Sequence, residues 1–97
     1  MNEFQQRAND KTTIFKDIIE RKQIINKYQM TGILDRDEAI SKIMILRLLD
    51  KDLAKATAAA HIATGSVTCS QASNQDIISE LQFQIDYLTA KLSVGTK

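Results

Sequence analysis

A chain of 97 residues is long enough for one domain at most, and its 13 basic and 12 acidic residues leave a formal net charge of only +1. So small a charge argues against strong, non-specific binding of polyanions. A single cysteine, Cys69, excludes a disulfide-stapled secreted fold and fits a reducing cytoplasm. The polar N-terminus has no signal-peptide core, and no apolar run approaches the ~20 residues that a membrane span needs. We therefore expect a cytoplasmic protein without membrane contact.

The first predicted helix follows a polar arm over residues 1–9. It begins at one of three capping residues, Asp10, Thr12 or Thr13, and ends near Met30. Its predicted apolar face consists of Ile14, Phe15, Ile18, Ile19 and Ile25.

Charged residues are predicted to line the solvent side of this helix. Asp17 and Arg21, and likewise Lys16 and Glu20, are opposite charges four positions apart, a spacing that favours helix. Lys22 instead lies within the apolar face. There it either reaches water along its stem or meets a carboxylate or phosphate at an interface.

Residues 31–34 form the first predicted turn. Gly32 suits the left-handed position that ends a helix, and Asp35 with Glu38 has the capping-box spacing of a helix start. So short a link makes the first two helices antiparallel neighbours. The string from Gly32 to Ala39, GILDRDEA, resembles the turn of SHOCT-type helical hairpins, which are found appended to bacterial and phage proteins. The resemblance covers this turn, and it carries no function.

The middle of the chain predicts one continuous helix over residues 36–64 that ends at Gly65, because no proline or glycine interrupts it. One side carries Leu46, Leu49, Leu53, Ala56, Ala60 and Ala63, and the other carries Ile40, Ile43, Met44, Leu48, Ala54, Ala58 and Ile62. A helix that is apolar all round is normally covered all round. Either two flanking helices cover it within a bundle, or a second copy or another protein does. A basic ridge of Arg47, Lys51 and Lys55 either packs its stems and reaches water or meets an acidic partner.

The last predicted helix follows a loop rich in hydroxyl residues at 65–73. Ser73 or Asn74 caps it, it runs to about Leu92, and residues 93–97 form a tail. Its apolar seam at heptad spacing consists of Ile78, Leu81, Ile85, Leu88 and Leu92. We expect this seam to pair antiparallel with the alanine-rich second half of the middle helix.

The residues that carry chemistry are too few for an enzyme or a metal centre. His61 and Cys69 are the single histidine and the single cysteine, so no metal-ligand set exists, and nothing supports a catalytic pair. No Gly-rich phosphate loop occurs. We therefore expect no catalytic residue, metal or cofactor. Nucleic acid is not the expected partner, because a recognition helix would lead with Asp37 and Glu38 against Arg36.

These patterns predict an all-α, three-helix antiparallel bundle with a long central helix, forming one domain over residues 1–97. We expect it to oligomerise through helix packing, most simply as a C2 dimer. The predicted function is that of a small non-enzymatic interaction module of bacterial or phage type, an adaptor, regulator or inhibitor that binds itself and a partner protein. The candidate interface residues are Ile40, Met44, Leu48, Phe83 and Tyr87.

Three points stay open at this level. Phe83 and Tyr87 either pack under the N-terminal helix or anchor an interface, where aromatic residues are enriched. One alternative function is a helical oligomer that sequesters a small anionic ligand such as a nucleotide. Its candidate contacts are Lys22, Arg47, Lys51 and Lys55. The other alternative is a weak DNA-binding regulator.

Overall fold

The computed structural model describes residues 11–59 and 72–94, with the side chains of residues 11–56 and 72–93. These residues form four α-helices: α1 (Lys11–Thr31), α2 (Arg36–Leu49), α3 (Lys51–Ala59) and α4 (Asn74–Val94). The all-α prediction is confirmed for this part of the chain. The predictions for the N-terminal arm, for His61, Gly65 and Cys69 and for most of the loop lie outside the described residues.

Local capping chemistry places the helix ends where the sequence predicts them. Gly32 has a φ of +74° and closes α1, as a left-handed helix end requires. The Asp35 carboxylate accepts a hydrogen bond from the Glu38 N–H at 3.3 Å, and the Ser73 hydroxyl oxygen accepts one from the Asp76 N–H at 3.1 Å. The predicted caps of α2 and α4 are therefore confirmed.

The prediction of one continuous middle helix is wrong, because the helix is interrupted at Asp50. Asp50 is extended, with φ −122° and ψ 99°, and its N–H donates to the Leu46 carbonyl, ending α2. Its carboxylate oxygen Oδ1 accepts the N–H groups of Asp52 and Leu53, each at 3.1 Å. One residue thus ends α2 and caps α3. The argument for association from a continuous two-sided helix does not hold.

Two side chains of α4 hold the Asp50 carboxylate in place. The Tyr87 hydroxyl donates to Oδ1 at 3.0 Å, and Lys91 Nζ lies 2.8 Å from Oδ2. Burial by itself raises the pKa of Asp50, but hydrogen bonds from Lys91, the Leu53 N–H and Tyr87 together outweigh it, so the net pKa is lowered. Burial and the Asp50 charge raise the pKa of the Tyr87 phenol. The break is therefore a tertiary feature as well as a local one.

The core lies mainly between α1, α2 and α4, and α3 contributes the fully buried Leu53. Its buried apolar side chains are Ile14, Ile18, Ile24, Ile25, Ala39, Ile43, Leu46, Leu53, Ala72, Ile77, Leu81, Ile85 and Leu88. The predicted seam of α4 is confirmed, with Ile78 and Leu92 partly buried at its edges. The predicted face of α1 is partly wrong, because Phe15 and Ile19 are exposed.

Helices α2 and α4 run parallel. Arg36 at the start of α2 donates to Asn74 Oδ1 at the start of α4, at 2.6 Å. Further along, Arg47 meets Glu80, and Asp50 meets Tyr87. The contacts at the two ends, Arg36 with Asn74 and Asp50 with Tyr87, therefore give both helices the same direction, which differs from the predicted antiparallel bundle. Among the described residues, α4 packs mainly on α1 and α2; most of the alanine-rich segment, with which α4 was predicted to pair, lies outside the part of the chain that the structure describes.

Candidate interaction surface

The two sides of α2 differ sharply in exposure. Ile43 is fully buried, whereas its neighbours Met44 and Ile45 are 44% and 52% exposed and Leu48 is 79% exposed. Ile40 is half-buried and packs against the core. Ile40, Met44 and Leu48 are spaced four residues apart and so form one ridge along the helix, here called the α2 ridge. This ridge, with Ile45 beside it, is an apolar surface on the outside of the fold.

Ile45 was not among the predicted interface residues. The signal for it is the run of four apolar residues from Ile43 to Leu46. Successive helical residues are about 100° apart, so one buried side cannot accommodate four in a row. The sequence alone does not indicate which of the four face outward.

Polar contacts hold the inner side of α2 in place and so support the ridge. Arg47 donates from Nη2 and Nε to Glu80 Oε1, at 2.6 and 3.1 Å. On the other flank, Lys42 Nζ lies 2.5 Å from Glu20 Oε2, and this hydrogen bond is the main reason that the pKa of Glu20 is lowered. The predicted pairing of Glu20 along its own helix is thus replaced by a contact between helices. The contacts of Arg47 with Glu80 and of Lys42 with Glu20 fix the orientation of α2, so that the ridge faces outward.

A buried arginine joins the three long helices behind the ridge. Arg21 is 3% exposed; it donates to Gln84 Oε1 at 2.9 Å, to the Lys42 carbonyl at 2.9 Å and to the Asp17 carbonyl at 3.0 Å. The Gln84 amide in turn donates to the Ile43 carbonyl at 3.1 Å. Burial lowers the pKa of Arg21, and the charge of Asp17 opposes this effect. The prediction that Arg21 lies on the solvent side is wrong.

Glu80 is the least satisfied polar group of this interior. Its side chain is fully buried, and its Oε2 atom has no hydrogen-bond partner among the described residues. Burial raises the pKa of Glu80 above its ordinary value of 4.5, and Arg47 opposes this only in part. An incompletely paired buried charge is costly, so the ionised carboxylate weakens the fold.

We expect Glu80→Gln to change how stability depends on pH. Because the pKa of Glu80 is raised above 4.5 in the folded state, the native protein binds more protons than the unfolded one above that pH. The free energy of unfolding of the wild type therefore falls as the pH rises from 4.5 to the raised pKa of the folded state. Glutamine does not titrate, so the unfolding free energy of the variant minus that of the wild type should increase towards neutral pH. Urea unfolding followed by circular dichroism measures this, and a constant difference would contradict it.

The predicted aromatic pair does not join the ridge as an exposed surface. Phe83 and Tyr87 are both half-buried and pack against the core. The Tyr87 hydroxyl is engaged by Asp50. Of the five candidate interface residues, Met44 and Leu48 are exposed, and Ile40, Phe83 and Tyr87 are half-buried against the core.

The structure does not gather the four predicted anion contacts into one site. They are Lys22, Arg47, Lys51 and Lys55. Arg47 is turned towards Glu80. Lys22 is two positions from Glu20, hence on roughly the opposite side of α1, and Glu20 faces α2. Lys22 therefore points away from the helix that carries Arg47.

A cleft in the described part of the chain does not suit an anion. An open cleft of about 190 Å³ lies between α1 and the start of α2. It is lined by Glu20, Gln23, Ile24, Lys27, Asp35 and Glu38. With three carboxylates and one ammonium group it does not suit an anion, and Glu20 and Asp35 are already engaged. No group of three or more His, Cys, Asp or Glu side chains in the described ranges is placed to hold a metal ion.

Comparison with known proteins finds no matching family model, and no curated protein or solved structure matches the chain either. Among the described helices, none combines the length and apolar content needed to cross a bilayer. The geometry of the α2 ridge is accordingly the main guide to function.

Proposed function

We propose that this protein is a small, non-enzymatic helical interaction module of bacterial or phage type, which associates with itself and with a partner protein through the α2 ridge. The supporting observation is the 79% exposure of Leu48 next to exposed Met44 and Ile45, on a helix whose other side is fully buried. A single exposed leucine is ordinary on a protein surface. A contiguous apolar patch is more typical of a binding surface.

The ridge also has the pattern by which helices bind other helices or grooves. Anchors at i and i+4 along one face are the usual contacts in that mode. The other exposed large apolar side chains of the described residues fall into two pairs, Phe15 with Ile19 on α1 and Met30 with Ile33 at its C-terminal end. The ridge is continuous with the core through Ile40, so a partner packing there would extend an existing apolar layer.

Leu48→Gln is expected to weaken association by about tenfold or more. Burying a leucine side chain contributes about 1.5–3 kcal/mol, and about 1.4 kcal/mol corresponds to a factor of ten in affinity. Sedimentation velocity over a wide concentration range measures self-association. Because Leu48 is 79% exposed, the thermal unfolding of the dilute variant should match that of the wild type.

The matched control is Phe15→Gln, which replaces an exposed apolar residue of α1 that is 58% exposed. It should leave association unchanged. The proposal is contradicted if Leu48→Gln self-associates as tightly as the wild type and the Phe15→Gln control, and also binds every partner protein that those two bind.

A further inference from the structure

Four polar side chains form a row along the inward side of α4, beside its apolar seam, here called the α4 polar row. They are Glu80, Gln84, Tyr87 and Lys91, at steps of four, three and four, a spacing that puts them on one side of a helix. Glu80 and Gln84 are fully buried, and Tyr87 and Lys91 are half-buried. So many polar groups inside a small fold require a physical reason, because burying them is costly.

Every member of the row binds a group of α1 or α2, or Asp50 at the end of α2. Reversing the direction of α4 would take Glu80 away from Arg47. It would also take Lys91 away from Asp50. Charges left in the interior without the groups that now face them are strongly destabilising. The contacts that depend on direction, all at 3.1 Å or less, are Glu80 with Arg47, Gln84 with Arg21 and with the Ile43 carbonyl, and Tyr87 and Lys91 with Asp50.

The apolar seam of α4 does not distinguish the two directions. Its buried residues, Ile77, Leu81, Ile85 and Leu88, alternate isoleucine and leucine at steps of four, four and three. The seam therefore presents side chains of similar size from either end. Cores tolerate exchange among apolar residues of similar volume, so the seam packs about equally well in either direction.

The connection to α4 does not select the direction either. Residues 60–73 link Ala59 to Asn74, and a chain of this length spans up to about 46 Å at roughly 3.3 Å per residue. The 21 residues of α4 extend over about 31 Å at 1.5 Å per residue. The link is therefore long enough to reach either end of α4.

We propose that the α4 polar row selects the parallel direction of α4 against α2, as a conformational device built into the fold. The row contributes a single arrangement more than it contributes stability, since the incompletely paired carboxylate of Glu80 weakens the fold. In coiled coils, one buried polar residue specifies the register in the same way, at a cost in stability. The contact of Arg47 with Glu80 also orients α2. The same row therefore keeps the α2 ridge on the outside of the fold.

Distances between two spin labels test the direction of α4. Labels at Asp37→Cys and Gln75→Cys, in a Cys69→Ser background, mark the starts of α2 and α4, and both positions are exposed. With the row intact they should give one short distance, because Arg36 and Asn74 beside them are hydrogen-bonded. Reversal moves position 75 away by up to about 30 Å, the length of α4. Dilution with unlabelled protein removes distances between copies.

The apolar-row variant replaces the row and its side-chain partners by uncharged residues of similar size. It should keep its helical circular dichroism and give a second, longer distance in an amount comparable with the short one. Its substitutions are Arg21→Met, Arg47→Met, Asp50→Asn, Glu80→Leu, Gln84→Leu, Tyr87→Phe and Lys91→Met.

The matched control changes the apolar seam and keeps the row. It should give the single short distance, because the direction-dependent contacts are intact. Its substitutions are Ile77→Leu, Leu81→Ile, Ile85→Leu and Leu88→Ile.

Three results would overturn the proposal. If the apolar-row variant is helical and gives only the short distance, other contacts set the direction. If the control gives both distances, the seam contributes as much as the row. If the apolar-row variant loses its helical signal, the row is needed for stability itself. None of these results bears on binding by the α2 ridge, which the association of Leu48→Gln measures separately.

Discussion

Arg21→Ala is expected to lower the free energy of unfolding by about 3 kcal/mol, through the lost hydrogen bonds and the cavity left behind. Arg21 is 3% exposed and its guanidinium contacts all three long helices. Without it, the buried Gln84 Oε1 loses its donor. For a domain of this size the change corresponds to a fall of about 12–24 °C in Tm.

Two further variants separate the causes of this loss. Arg21→Met fills most of the volume and still leaves Gln84 Oε1 without its donor, so it should cost less than alanine, about 1–2 kcal/mol. Lys22→Ala changes the next residue, which is exposed, and should stay within about 0.5 kcal/mol of the wild type. Urea unfolding followed by circular dichroism compares them. If Arg21→Ala is as mild as Lys22→Ala, Arg21 does not join the helices.

Asp50→Ala is expected to destabilise the protein by about 2–4 kcal/mol. Loss of a cap costs about 1 kcal/mol, and the hydroxyl of Tyr87 and the ammonium of Lys91 lose their acceptor, which adds the cost of partly buried unpaired groups. Asp50→Asn keeps a capping oxygen and loses the charge, so it should cost less. Thermal and urea unfolding measure both variants.

The acid dependence of the Asp50→Asn variant gives a second measurement. The pKa of Asp50 is lowered from 3.8 in the folded state. Its stabilising effect is therefore complete above that value and is lost as pH falls through the folded pKa. The stability gap between wild type and Asp50→Asn should narrow on acidification. A more helical and equally stable Asp50→Ala protein would show that Asp50 does not impose the break.

The predictions that the structure confirms concern features decided within a few residues. Gly32, Asp35 and Ser73 end or begin helices through hydrogen bonds to groups at most four positions away. The period of Leu81, Ile85 and Leu88 selects one buried side of α4, because a helix repeats every 3.6 residues. Such features depend little on the rest of the chain.

The exposed surface was predictable only in part. Met44 and Leu48 were identified because the helix carries more apolar positions than one buried side accommodates. Phe83 and Tyr87 have the same helical spacing, yet both are half-buried against the core, and the Tyr87 hydroxyl donates to Asp50. Spacing shows which residues share a side of a helix, and packing decides which side is covered.

The sequence by itself therefore determined helix content, most helix ends and the apolar seam of α4. The break at Asp50, the burial of Arg21 and the parallel course of α2 and α4 depend in addition on contacts between distant residues, which only the tertiary structure shows. The physical reason is the separation of the partners: Asp50 is held from α4 by Lys91, 41 residues away, and Arg21 by Gln84, 63 residues away. In sequence, an aspartate within a helical run and an arginine four residues from an aspartate both fit an ordinary exposed helix. Only the contacts with distant residues show that Asp50 interrupts the helix and that Arg21 is buried.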